Sequence, residues 1–263
     1  MAMFKLRDHE TLTDPVVVVA FDGWVDAGAA ATNATRELAG DGKVVVEFDG
    51  DELFDYRARR PTLEIQDGRP ERLTWPSLTM RSRRIGERDL LILTGAEPDF
   101  RWHQFAADLV DLNKELGVSQ WLSLGAIPAA VPHTRPVPIL GTASQPDLLR
   151  GGVQPGPQGL LRVPAACISI VDVAVAGTGI PTVGYFAQIP HYMSGEYPGA
   201  SVNCCGSSAF TWTSSRRSGC SPRRRLRCAS ASTPRRPSTR TPVTTSNVSR
   251  AWPTNPGCQP VTT

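Results

Sequence analysis

Apolar and polar positions along the chain alternate in blocks that predict buried strands separated by helices. Residues 16–21 form a continuous apolar run that begins with four valines, which is typical of a strand buried on both faces. Asp26 follows at a position suited to capping a helix that extends to about Leu38. Residues 43–48 are a second run of this kind, so the strand–helix–strand order predicts a parallel pair joined by a right-handed crossover.

The pattern changes between residues 60 and 85. Two short alternating segments, residues 62–65 and 72–75, flank Asp67-Gly68, a strong turn signal. We therefore expect an antiparallel hairpin here, and residues 78–85 are a candidate for a further strand of the same inserted segment.

The remaining apolar segments continue the alternation. Residues 99–116 carry apolar side chains at helical spacing and predict an amphipathic helix. Short apolar segments lie at residues 90–93, 121–124, 139–142, 165–171 and 182–186. Repeated alternation of this kind predicts an α/β domain over residues 1–202, with helices on both sides of a mostly parallel sheet and an inserted β-hairpin.

Charge divides the chain into two parts. The 263 residues include 28 Lys and Arg and 25 Asp and Glu, a net charge of +3. Residues 203–263 hold ten of the Arg and no Lys, Asp or Glu, so residues 1–202 have a net charge of −7. The second part is also rich in Ser, Thr and Pro and contains one Leu, a composition that cannot bury enough apolar surface to fold.

Two interpretations of residues 203–263 remain open. The segment is either a disordered basic arm that binds nucleic acid or another polyanion, or the product of a reading-frame shift near Val202. We favour the shift, because GC-rich codons for residues 203–214 read from their third base encode a mostly apolar, helix-compatible string.

The first 202 residues have the features of a soluble cytoplasmic protein. Residues 1–10 mix acidic and basic side chains without the apolar segment of a signal peptide. Cys167 is the one cysteine of this part, as expected in a reducing compartment. The longest apolar stretch is interrupted by Pro164 and Asp172 and is too short to span a membrane, so we expect no membrane partner.

The segment from Asp22 to Gly28 lies where the first strand ends and a helix begins. Anions often bind at such a position, but no Gly-Lys-Ser/Thr follows, and the carboxylates of Asp22 and Asp26 would repel phosphate. A tight turn with an N-cap explains the segment without a ligand. Asp22, Trp24 and Asp26 are nevertheless candidates for a ligand or partner site.

Further candidates follow the later strands of the predicted sheet. Loops after parallel strands meet at one edge, so their polar side chains could share a site. These residues are Glu97, Asp99, Arg101, His103, His133, Arg135, His191 and Tyr192. Carboxylate with histidine suits acid–base chemistry and arginine suits an anion. The alternative, which we favour, is that these side chains fix the shape of Pro-rich loops, because no nucleophile motif accompanies them. No metal-ligand spacing is present in this part either, and the sequence predicts neither a metal nor a cofactor.

Several of these loops resemble one protein family. The segments are residues 21–28, 55–57 before Arg60-Pro61, 93–99, 124–128 with 132–136, and 190–192. In this order they resemble the actinobacterial branch of the proteasome assembly chaperone two family, from about residue 3 to residue 202. Family members continue past Pro190-His191-Tyr192 into helices that close the sheet, whereas this chain continues into its Arg- and Ser-rich segment.

The resemblance implies a fold and a role. The implied fold is a three-layer α/β/α sandwich similar to nucleoside phosphorylases and peptidyl hydrolases, in homo-oligomers such as trimers. The implied role is a non-enzymatic assembly chaperone with proteasome subunits as candidate partners. The alternatives are a hydrolase- or phosphorylase-like enzyme that uses the loop residues, and nucleic-acid binding through residues 203–263.

Overall fold

The computed structural model of the chain describes residues 2–7, 10–149 and 153–197. The strands in this part are β1 (Phe4–Leu6), β2 (Val16–Asp22), β3 (Lys43–Phe48), β4 (Thr62–Gln66), β5 (Arg69–Thr74), β6 (Leu78–Ile85), β7 (Arg88–Ala96), β8 (Gln120–Ala129), β9 (Ile139–Ala143), β10 (Gln154–Pro155) and β11 (Thr182–Pro190). The α-helices are α1 (Ala30–Ala39), α2 (Gly50–Leu53), α3 (Trp102–Glu115) and α4 (Cys167–Ala176), and short 3-10 turns occupy Ala27–Ala29 and Pro146–Leu148. The predicted basic segment, residues 203–263, and the predicted frame break near Val202 lie outside the described residues.

Nine strands form one mixed sheet in the order β1-β3-β6-β7-β2-β8-β11-β9-β10. The central strands β7, β2, β8 and β11 are parallel to one another. Within the described residues the sheet has four parallel and four antiparallel pairs, so it is less parallel than the alternation predicted. Buried β-branched side chains are suited to its centre, and residues 16–19 of β2 are at most 1% exposed.

The predicted pairing of the first two long strands is wrong. β2 and β3 are not neighbours, because β6 and β7 lie between them. β6 pairs antiparallel with both β3 and β7. Residues 78–85, for which the sequence predicts a further strand of the inserted segment, therefore belong to the main sheet. A hydrophobic pattern identifies a strand but not its neighbour in the sheet. Here the chain returns after the inserted hairpin and places β6 and β7 between β3 and β2.

Helices pack against both faces of this sheet. Because side chains alternate along a strand, Val17 and Val19 of β2 join the core beneath α3 and α4, whereas Val16 and Val18 join the core beneath α1. Phe105 of α3 fixes one of these contacts, since its ring centroid lies 5.3 Å from that of Phe48 and 6.0 Å from that of Phe21. Aromatic pairs at such distances add about 0.5–1.5 kcal/mol to the stabilisation from buried area.

The inserted hairpin is confirmed. β4 and β5 pair antiparallel as a separate two-stranded sheet around Asp67 and Gly68, both of which have positive φ. A two-residue turn with positive φ at both positions matches the twist of its strands, which explains the Asp-Gly signal. Every residue of both strands is exposed.

The apolar segment at residues 165–171 leads into a helix. Cys167 begins α4, whose apolar residues cover most of its circumference and which packs against α3. Continuous apolarity of this length does not distinguish a buried strand from a buried helix.

Among the described residues, no helix has the length and hydropathy needed to cross a membrane.

Candidate functional site

The loops that follow the central strands emerge at one edge of the sheet. β2, β7, β8 and β11 run in the same direction and end at Asp22, Ala96, Ala129 and Pro190. This is the edge where the sequence placed its candidate residues, and it is the usual ligand crevice of such a sheet.

Glu97 joins this edge to the loop after β2. Its carboxylate is buried, and one oxygen, Oε2, accepts a hydrogen bond from the backbone N–H of Trp24 at 2.9 Å. The other oxygen, Oε1, accepts a hydrogen bond from the backbone N–H of Cys167 at 2.8 Å, at the start of α4. Both oxygens of Glu97 therefore hold backbone segments in place.

Gly23 is required by this arrangement. A Cβ atom at this position would lie 2.1 Å from Glu97 Oε2, far inside van der Waals contact. The absence of a side chain lets the carboxylate approach the loop, while the next residue, Trp24, extends into solvent and is 75% exposed. The local sequence thus holds a tryptophan outward on a fixed loop.

Asp26 bonds to the first turn of α1 but is not its N-cap residue as predicted, because a 3-10 turn (Ala27–Ala29) follows it and Ala29 is the N-cap of α1. Its Oδ1 accepts a hydrogen bond from the backbone N–H of Ala31 at 2.8 Å, and its Oδ2 accepts one from the hydroxyl of Thr32 at 2.5 Å. Burial raises the pKa of Asp26, an effect that these hydrogen bonds oppose. Because the carboxylate already occupies the helix N-terminus, an external anion would be repelled there.

Asp99 and Arg101 are tied to the segment before the hairpin. Asp99 accepts a hydrogen bond from the backbone N–H of Asp55 at 2.9 Å and forms an ion pair with Arg59 at 3.3 Å. Arg101 pairs with Glu52 of α2 at 2.7 Å. These contacts fix residues 50–60 against the loop after β7.

The histidines form a second group around Tyr192. The hydroxyl of Tyr192 accepts a hydrogen bond from the backbone N–H of His133 at 2.9 Å and lies 3.0 Å from Nδ1 of the same residue. The ring of His191 packs on Tyr192 with centroids 5.5 Å apart, and its Nδ1 lies 3.3 Å from the carbonyl oxygen of Ala129.

The Glu97 and His133 groups of candidates lie at different heights along the strands. Asp26 bridges to Ala126, whereas β8 continues to Ala129 before the histidine loops begin. Three residues of strand correspond to about 10 Å. The candidates therefore divide into Glu97 with Trp24, Asp99 with Arg101 through residues 50–60, and His133 with His191 and Tyr192. Arg135 and His103 are exposed, on the loop after β8 and on α3. Within the described residues, no group of three His, Cys, Asp or Glu side chains could hold a metal ion.

A cavity of about 490 Å³ lies at the ends of β2 and β7, next to the loops that hold Trp24 and Glu97. It is lined by residues of α1, the segment before the hairpin, the hairpin base and the ends of β2 and β7, among them Asp22, Arg36, Arg59, Arg60 and Trp75. Sequence reasoning missed these arginines as site residues. Adjacent Arg59 and Arg60 before Pro61 were the available signal, but nothing in the pattern indicated that α1 would bring Arg36 to them.

Fold and site together define an α/β protein whose parallel central strands end at one edge, where short loops hold an exposed tryptophan and a histidine–tyrosine pair. The chain belongs to the PAC2 family, whose profile matches residues 20–207. This confirms the resemblance seen in the loop motifs.

Solved structures agree with this assignment. A Mycobacterium tuberculosis protein described as a proteasome-assembly chaperone homologue is 35% identical, with 72% of this chain and 82% of that chain covered and a TM-score of 0.66. A PAC2 family protein from Streptomyces avermitilis is also 35% identical, with the same coverage of both chains and a TM-score of 0.64. PbaB of Pyrococcus furiosus, an archaeal proteasome activator, is 13% identical over 72% of this chain and 81% of its own, with a TM-score of 0.56, and shares the fold alone. Comparison with curated protein sequences gives no match.

Proposed function

We propose that this chain is a non-enzymatic, protein-binding protein of the assembly-chaperone type, with proteasome subunits as its partners. The observation that carries the proposal is the exposure of Trp24, whose side chain is 75% exposed although its backbone N–H is bonded to buried Glu97. Exposed tryptophans on fixed backbone are the side chains that most often anchor protein–protein contacts. The name of the 35% identical mycobacterial relative supports the choice of partner.

Other apolar side chains are exposed in loops at or near the same edge. Phe100 is 50% exposed after β7, and Tyr192 and Met193 are 53% and 39% exposed after β11. Exposed apolar side chains mark protein-interaction sites where they form a contiguous patch. We propose that these loops, together with the Trp24 loop, contact the partner.

The bonding of the polar candidates favours this role over an enzyme. Both carboxylate oxygens of Glu97 accept backbone hydrogen bonds, and Asp99 and Arg101 are in ion pairs. The ring of His133 contacts Tyr192, and that of His191 contacts a backbone carbonyl. A hydrolase- or phosphorylase-like enzyme would instead need an acid–base group directed at substrate.

We further propose that the chain forms homo-oligomers, such as trimers, through its hairpin. Leu63 lies directly opposite Leu73, and Ile65, two positions after Leu63, shares its face. These residues are 49%, 47% and 61% exposed. Because an isolated hairpin is marginally stable in water, a partner surface over this face would stabilise it. Sedimentation of the chain and of a Leu63→Ser/Leu73→Ser variant tests the proposal. A monomeric parent chain, or an unchanged assembly in the variant, would refute it.

We also propose a layered fold, a cytoplasmic location and, as an alternative function, nucleic-acid binding. Helices on both faces of the sheet support a three-layer sandwich similar to phosphorylases and hydrolases. The single cysteine of residues 1–202 supports a cytoplasmic location. Nucleic-acid binding through residues 203–263 would be strongly salt-dependent, and loss of that binding on truncation at Val202 would establish it.

Partner binding is tested by measuring the affinity of the full chain for purified proteasome α-type subunits. We expect Trp24→Ala to weaken association at least tenfold, as truncation of a central anchor does. Val173→Ala is a matched control, because Val173 is also 75% exposed but lies on α4. Absence of association by the parent chain, or equal affinity of both variants, would count against the proposal.

A further inference from the structure

The cavity of about 490 Å³ next to the hairpin has the volume of a small-molecule site. One side is formed by Arg36 of α1, another by Arg59 and Arg60, and the hairpin contributes Thr62, Thr74 and Trp75. The rest of the lining comes from α1, the segment between β5 and β6, and the ends of β2 and β7, and it includes Asp22 and Ser77. Thr32, which also lines the cavity, donates a hydrogen bond through its hydroxyl to Asp26, so the cavity adjoins the first turn of α1.

Positive charge predominates in this lining. Arg59 is paired with Asp99, but among the described residues neither Arg36 nor Arg60 has a carboxylate partner. Within the described residues, the guanidinium of Arg36 donates one hydrogen bond, to the neutral amide oxygen of Asn33, so no acid there compensates its charge. Asp22 contributes the one carboxylate of the lining, and it forms no ion pair within the described chain.

A second cavity shows a different charge balance. That cavity, of about 360 Å³ near the opposite end of the sheet, includes Lys43 and Arg84 in its lining, but Glu10 and Asp89 match them in number. Arg84 and Asp89 form an ion pair at 2.9 Å. Of these two cavities in the described part of the chain, the one beside the hairpin has more cations than acids in its lining.

Neutral donors accompany the arginines. The hydroxyls of Thr62, Thr74 and Ser77 and the indole N–H of Trp75 make no hydrogen bond to the described part of the chain. Two guanidinium groups with several free hydroxyls can surround an oxyanion and satisfy many of its acceptor sites. Trp75, which packs on Tyr56 with ring centroids 4.7 Å apart, offers an apolar wall to the rest of a ligand.

We propose that this cavity binds a small, multiply charged organic oxyanion, a phosphate ester or a polycarboxylate, through Arg36 and Arg60. Asp99 holds Arg59 through an ion pair, and Nη1 of Arg59 donates a hydrogen bond to the carbonyl oxygen of Asp22. Arg59 therefore forms a fixed side of the cavity. The carboxylate of Asp22 opposes the ligand and limits its affinity. This site goes beyond the proposed function and does not depend on it.

The test is calorimetric titration of the full chain at low ionic strength with two probes, pyrophosphate and citrate. We expect saturable binding of at least one probe. The probe that binds more tightly shows whether the cavity prefers phosphate or carboxylate ligands. The Arg36→Gln/Arg60→Gln variant should bind at least tenfold more weakly, because each guanidinium contributes a charge-assisted hydrogen bond.

The matched control is Arg69→Gln/Arg72→Gln, which removes two exposed hairpin arginines outside the lining. It should retain the parent affinity, and the ten arginines of residues 203–263 are common to every variant. Asp22→Asn should strengthen binding severalfold, a gain that misfolding cannot produce. Absence of saturable binding to both probes, or equal losses in the two double variants, would overturn the proposal.

Discussion

The carboxylate of Glu97 accepts a hydrogen bond from the backbone N–H of Trp24 across 73 positions of sequence. Its second oxygen accepts one from Cys167, so this buried side chain connects the loops after β2 and β7 to the start of α4. The backbone position of Trp24, the most exposed aromatic residue of this edge, thus depends on the buried carboxylate of Glu97.

Replacing Glu97 should therefore destabilise the fold. Glu97→Ala leaves two backbone N–H groups without their acceptor, each at a cost of about 1–3 kcal/mol when buried. We expect a lower free energy of unfolding in urea, and Glu97→Gln should recover part of the loss because its one amide oxygen replaces one acceptor. Glu115→Gln, at an exposed position of α3, is the control. Equal stability of Glu97→Ala and the parent chain would contradict this role.

Gly23→Ala tests the same contact from the other side. The added Cβ would lie 2.1 Å from Glu97 Oε2, so the carboxylate or the loop must move. We expect a loss of about 1–3 kcal/mol in unfolding free energy, as for overpacked sites. Gly156→Ala is the matched control, since its nearest contact would be an ordinary 3.5 Å. If the two variants unfold at the same urea concentration, Gly23 does not have the steric role that we assign to it.

Local features of this site could be predicted from sequence. The four valines of β2 indicated a strand buried on both faces and Asp67-Gly68 indicated a hairpin turn, and the structure contains both. Asp26 bonds to the first turn of α1 as a cap would, although a 3-10 turn separates it from the helix. Each depends on residues that are near one another in the chain. Period, cap chemistry and turn conformation act over a few residues, so a single sequence is sufficient to find them.

Long-range relationships could not be predicted in this way. The pattern did not place β6 and β7 between β2 and β3, because strand neighbours depend on the path of the whole chain. It grouped Glu97 with His133 by their common edge, but the extra length of β8 separates the two along the strand direction. Nor did it show that Cys167 begins a helix whose N–H binds Glu97.

Cys167 should be unreactive in the folded protein. Burial raises the pKa of its thiol, and the negative charge of Glu97 adds to the effect, so little thiolate forms at neutral pH. We expect iodoacetamide to label Cys167 only in denaturant, as followed by peptide mass spectrometry. Mapping the peptide separates this residue from the five cysteines of residues 203–263. Native labelling at the denatured rate would be inconsistent with its burial.

Asp172 should make stability depend on pH in a window where most carboxyl groups no longer titrate. It lies on α4, where its Oδ1 accepts hydrogen bonds from Trp121 Nε1 at 2.8 Å and from the hydroxyl of Ser123, both fully buried residues. Burial raises the pKa of Asp172 to about 6, although these hydrogen bonds oppose the shift. The folded state therefore holds this proton more tightly than the unfolded state does.

Since the pKa is higher in the folded state, the stabilisation from protonated Asp172 is complete below about pH 4 and is lost as the pH rises through about 6. The loss is at most about 3 kcal/mol, the equivalent of two pKa units. Asp172→Asn has no such proton and keeps an acceptor for Trp121, so its unfolding free energy relative to the parent should rise between pH 4 and 7. Urea unfolding at several pH values measures this difference, with Asp111→Asn, an exposed position of α3, as the control. A constant difference between Asp172→Asn and the parent across this range would show that Asp172 titrates alike in both states.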